Sequence, residues 1–134
     1  MWRLTPFVMA IAVTGCLNSP TAPDAVSIGV PFELKAGATA ELPDGFRIKF
    51  DRVTADSRCP SDVQCVSAGD ATVIVLASNR GDNPFPLDLH TNGAGSQISY
   101  SSHTIRLTAL RPVPLSNRQI SALEYIAVLV VNAP

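Results

Sequence analysis

Phe46-Arg47-Ile48-Lys49-Phe50-Asp51 is the stretch that decides the fold, because three large apolar side chains alternate one for one with three charged ones. Successive side chains of an extended chain point to opposite faces, so this pattern predicts a strand with one face in a core and one in water. Val53 prolongs it. Just upstream, Pro43-Asp44-Gly45 supplies turn chemistry that folds a strand over Thr39 to Leu42 back onto it as a hairpin. Phe32 and Leu34 mark an earlier strand. Downstream, Ala71 to Ala77 is rich in β-branched residues and almost continuously apolar, the pattern of a central strand covered on both faces.

The remaining chain repeats this logic. Asn79-Arg80-Gly81-Asp82-Asn83 is a turn, and Phe85, Leu87 and Leu89 then alternate with Asp88 and His90. Pro84 and Pro86 remove backbone donors and so mark this strand as an edge. After a turn over residues 91–95, Ile98 and Tyr100 lead through Ser101-Ser102 into a strand from Thr104 to Leu110, stopped by Pro112 and Pro114. Residues 116–123 leave room for one short helical turn before the closing strand, Tyr125 to Val131. Seven to nine short strands between Gly, Pro, Asn and Asp turns predict an all-β, antiparallel β-sandwich of immunoglobulin-like type. A small closed β-barrel is the alternative. The Cys, Trp and Cys that join the sheets of antibody domains are absent, so the expectation concerns architecture and not kinship.

The chain has 134 residues, enough for one domain with one core. Its net charge is -1 with both signs interspersed, and no basic stripe is present to draw nucleic acid. Apolar residues make up 46%, but part of that lies in the first 15 residues, which predict a cleaved leader: Arg3, a short apolar run from Leu4 to Val13, then small residues. A run of about 10 residues is half of what a spanning helix needs. The only Trp and both Met fall in the leader, so the mature chain is expected to lack them.

Val13-Thr14-Gly15-Cys16 resembles the bacterial lipobox, which implies cleavage after Gly15 and acylation of Cys16. Residues 16–28 then read as the lipidated cysteine and a polar, Pro-containing tether, and residues 29–134 as the sandwich domain. The partner implied is the lipid bilayer, held through acylated Cys16, with several acyl chains giving firm anchorage. Leu17 is not the aspartate that resembles an inner-membrane retention signal. The expected address is therefore the cell envelope, at the outer membrane in a two-membrane bacterium.

Cysteine counting agrees. Of three cysteines, lipid on Cys16 leaves Cys59 and Cys65 as a pair in a compartment where disulfides persist. Their spacing closes a tight loop between the Phe46 and Ala71 strands, worth roughly 2 kcal/mol. Such a rigid tip is either a staple or a recognition loop, with Arg58, Ser61, Asp62 and Gln64 as its exposed contacts, for an envelope protein or polymer or in the manner of a protease inhibitor. The segment Ser57-Arg58-Cys59-Pro60 followed by Gln64-Cys65-Val66, Ala68-Gly69, Ala71 and Val73 resembles a family of small bacterial lipoproteins. The likeness takes in Asp88 to Asn92 and the closing strand, covering roughly residues 32–131. No established activity comes with it, and members often carry Trp where this chain has Ser67.

Chemistry has few footholds. His90 and His103 are the only histidines, and a hydrolytic triad needs one of them beside a serine and an aspartate, without the G-x-S-x-G elbow here. Asp88, His90 and His103 would make a metal site if strands met correctly, since residues 88 and 90 share a strand face. Asp51, Asp56, Asp62 and Asp70 surround the cysteine loop but lack the spacing of an EF-hand. The cysteines match neither a redox C-x-x-C nor a zinc pattern. The functional expectation is a lipid-anchored, non-enzymatic binding or structural module without cofactor, and the alternative is a metal-dependent binder or hydrolase using His90 and His103.

Overall fold

The computed structural model describes Gly15 and residues 24–134. The leader, the acylation of Cys16 and the tether up to residue 23 lie outside the described residues. The described chain forms nine strands: β1 Asp24–Ala25, β2 Phe32–Lys35, β3 Thr39–Glu41, β4 Arg47–Asp56, β5 Ala71–Ser78, β6 Phe85–His90, β7 Gln97–Tyr100, β8 His103–Arg111 and β9 Ile126–Asn132. They make two sheets, ordered β1-β3-β4-β5-β6 and β2-β9-β8-β7. All pairings are antiparallel except β1 with β3. The protein is an all-β sandwich of immunoglobulin-like architecture, and the closed-barrel alternative is set aside because the two sheets stay separate.

The core is the set of side chains whose parity turns them between the sheets. Phe46, Ile48 and Phe50 face inward with Ala71, Val73, Val75 and Ala77 from β5, against Ile105, Leu107, Ala127, Leu129 and Val131 from the second sheet. Arg47 and Lys49 point outward, as their alternation requires. Strict alternation would then put Arg52 inside and Val53 outside. A register shift between Phe50 and Arg52 inserts one residue, so Arg52 opposes Ile74 on the outer face while Val53 opposes Val73 and packs on the core. A similar shift between Leu107 and Ala109 returns Leu110 to the interior.

β5 lies between β4 and β6, and β6 is an edge strand, as the two prolines require. Phe85 keeps its inward parity opposite Ala77, yet at the sheet edge it is 53% exposed and stacks on Tyr100 of β7, centroids 5.6 Å apart. One feature was not expected. Asp24 and Ala25, read as tether, pair with Ala40 and Glu41, so the sheet begins earlier than residue 29. Short 3-10 turns lie at Gly93–Ser96 and Ala122–Glu124, each overlapping a segment expected to turn, 91–95 and 116–123.

Candidate functional site

Cys59 and Cys65 form a disulfide with Cα atoms 5.9 Å apart, on the connection between β4 and β5 as their spacing predicts. The base of that connection is zipped by backbone bonds from Ser57 N to Asp70 O and from Cys59 N to Ala68 O. Gly69 is obligatory there: its φ is +69°, and a Cβ would stand 1.8 Å from the Ser57 carbonyl oxygen.

Arg58 is not the exposed contact expected of it. Its side chain is only 12% exposed and forks onto Asp56, with Nε 2.8 Å from Oδ1 and an Nη 2.7 Å from Oδ2. The same guanidinium donates to the carbonyls of Leu110, at 2.7 Å, and Pro112, at 3.1 Å, so it clamps the first sheet to the second. Tyr125 donates its hydroxyl to Asp56 Oδ2 at 2.9 Å. Burial pushes the Asp56 carboxyl up, but the bonds from Arg58 and Tyr125 outweigh that and hold it below its ordinary value. The Tyr125 phenol, desolvated and facing that carboxylate, is pushed up to about 12.

The other loop residues are also partly committed. Ser61 N donates to Pro114 O, and Asp62 accepts from Ser116 N at 3.0 Å and Ser116 Oγ at 2.6 Å, bonds that lower its pKa. The loop therefore lies against the segment that follows β8 instead of projecting freely. Of the four residues read as contacts, Gln64 remains exposed without a role in this docking.

The histidines serve two separate places. His90 Nδ1 is 2.6 Å from Asp70 Oδ2, and Asp70 also accepts from Thr91 Oγ1 and Asn92 N. Burial raises the Asp70 carboxyl, and these donors more than reverse it, so its pKa is lowered. His103 is buried, stacked on Phe46 with centroids 4.0 Å apart, and its Nε2 lies 2.6 Å from Asp44 Oδ2. The bond from His103 lowers the Asp44 pKa. Asp44 belongs to the β3–β4 turn and His103 opens β8, so this pair joins the sheets at the start of β4, as Arg58 joins them near its end. Asp88 is exposed beside His90 on the outer face of β6.

The expected metal ligands are thus not brought together, and among the described residues no group of three His, Cys, Asp or Glu side chains could hold a metal ion. The four loop aspartates likewise do not converge: Asp51 pairs with Arg52, while Asp56, Asp62 and Asp70 each hold the separate partners above. Two open sites stand out among the described residues. One, about 380 Å³, lies at the end of the sandwich between Asp56, Pro114, Arg118, Gln119, Ile120 and Tyr125. The other is a two-lobed cleft on the outer face of the five-stranded sheet, of about 340 Å³ and 290 Å³, whose lobes share Arg47, Ser78 and Asp82. Sequence reasoning missed both, although the outward half of the Phe46–Asp51 alternation already named two of the cleft's cations.

No family model, curated protein or solved structure matches this chain.

Proposed function

We propose that this chain is a lipid-anchored protein of the bacterial cell envelope, held by acylated Cys16, at the outer membrane in a two-membrane bacterium, and that its sandwich is a non-enzymatic binding module. The observation that carries this reading is the Cys59–Cys65 bond, which leaves Cys16 as the one cysteine of three outside that pair and is at home in an oxidising compartment. Because the sheet begins at Asp24, the span from Cys16 to the domain reaches at most about 28 Å, which keeps the sandwich beside the bilayer. The commitment of His90 to Asp70 and of the buried His103 to Asp44 favours a structural role for both histidines over a shared catalytic or metal site.

Metabolic labelling with a fatty acid, followed by mass spectrometry of the mature amino terminus, tests this. Label on wild type, a terminus at Cys16 and loss of both in Cys16→Ala are expected. An intact Met1 start, or free thiols at Cys59 and Cys65 in native material, would overturn it.

A further inference from the structure

The outward half of β4 faces a cleft whose charges are not used up by the fold. Arg47 opposes Ser78 and Lys49 opposes Leu76 across the β4–β5 ladder, while Thr39 and Glu41 of β3 flank them. The turn after β5 overhangs this row and contributes Arg80, Asp82 and Pro84. Arg47 is paired with Glu41 at 2.9 Å. Lys49 and Arg80, in contrast, have no carboxylate within ion-pair distance among the described residues. Arg80 lies over Gly45, where a Cβ would stand 2.7 Å from its Nε, so the bare glycine leaves room for the guanidinium to line the cleft.

The lining is mixed in a way that selects a ligand class. Two unpaired cations call for anionic groups. Asp82, Glu41 and the hydroxyls of Ser78 and Thr39 offer acceptors to hydroxyl groups, and the two carboxylates oppose a bare anion or an evenly anionic membrane surface. Leu76 and Pro84 give an apolar floor of the kind that packs on the C–H face of a sugar ring. The two lobes together fall within the size range of small-molecule sites.

We propose that this cleft binds an acidic saccharide, a chain of sugars bearing carboxylates, with Lys49 and Arg80 pairing the carboxylates and Asp82 and Ser78 taking the hydroxyls. The inference deepens the binding-module reading by naming the ligand class and the face that meets it.

The test is calorimetric titration of the mature full-length protein in neutral detergent with tetragalacturonate. Saturable binding is expected, weakened on the order of tenfold or more by Lys49→Gln and by Arg80→Gln, the loss associated with a charge-assisted bond. Arg106→Gln, which removes an exposed cation from the other sheet, should leave it unchanged. Failure of tetragalacturonate to bind overturns the inference. So does equal binding of glycerol phosphate, which would indicate a lipid headgroup or a bare anion, equal binding of a neutral malto-oligosaccharide, or an equal loss in Arg106→Gln. Failure here with Cys16 acylated removes this ligand and leaves the anchored module standing, whereas binding by a protein without lipid on Cys16 does the reverse.

Discussion

Tyr125→Phe removes one oxygen and leaves the ring, which makes it a clean probe of the clamp that joins the sheets. Tyr125 is 8% exposed, so the phenyl ring keeps its packing, and the loss is the bond from the hydroxyl to the Asp56 carboxylate, 2.9 Å long. A hydrogen bond to a charged acceptor contributes about 1.5–3 kcal/mol. The variant should therefore be about 2 kcal/mol less stable at neutral pH and melt roughly 10 °C lower, given the entropy of unfolding a domain near this size. An alkaline limb gives a second measurement. The folded phenol ionises at about 12 against an ordinary 10.0, so its contribution is complete below pH 10 and is lost as pH rises toward 12. Two pKa units correspond to at most about 3 kcal/mol, less whatever solvent screens at the hydroxyl. Urea unfolding at neutral pH and at several alkaline values, on wild type and Tyr125→Phe, should show the two stability curves converging toward pH 12. An ultraviolet titration of Tyr100→Phe isolates the Tyr125 phenol directly, since the chain has two tyrosines. Equal neutral-pH stabilities, or a Tyr125 phenol that ionises near 10, would refute the reasoning.

Three further outcomes are expected. Replacing Cys59 and Cys65 by Ser should cost roughly 2 kcal/mol or less in urea unfolding, because the closed loop is short and its base is held independently by the Ser57–Asp70 and Cys59–Ala68 backbone bonds. Gly69→Ala should cost more than about 2 kcal/mol, the combined effect of a positive φ and a Cβ driven into the Ser57 carbonyl, and thermal denaturation will show whether it exceeds the double cysteine variant. Asp44, Asp56 and Asp70 all have lowered pKa values in the folded protein, so their contribution is full above about pH 4 and is lost as pH falls through the folded values. An acid titration of stability should fall in that window, with a shallower slope in Asp70→Asn.

What the sequence makes legible here is whatever depends on a residue and its near neighbours. Alternation at Phe46–Asp51 places β4 and its faces, the prolines at 84 and 86 place an edge, and two cysteines six residues apart place their own bond. Three kinds of feature escape that reading. A register shift is invisible in side-chain pattern until the partner strand is known, so Val53 shows its inward face only against Val73. β1 is two residues long and joins the sheet through backbone groups, which carry no sequence signature. Arg58 reaches carbonyls 52 and 54 positions away, and His103 reaches Asp44 across 59, so distances of that kind follow from topology alone.

The distinction matters for where function is sought. The Arg58, Cys59 and Gly69 segment is the most distinctive in the sequence, and its distinctiveness has an architectural cause: a forked arginine, a short disulfide and a glycine that admits no Cβ are what holding two sheets together at one end demands. Residues spent that way are poor contacts for a partner. The opposite holds for Lys49 and Arg80, whose charges satisfy nothing within the described fold and whose neighbours are arranged around open volume. One strand thus carries both halves of the problem. Ile48 and Phe50 make β4 indispensable to the core, and that same packing fixes the direction in which Arg47 and Lys49 are presented, so the cleft inherits its rigidity from the core beneath it.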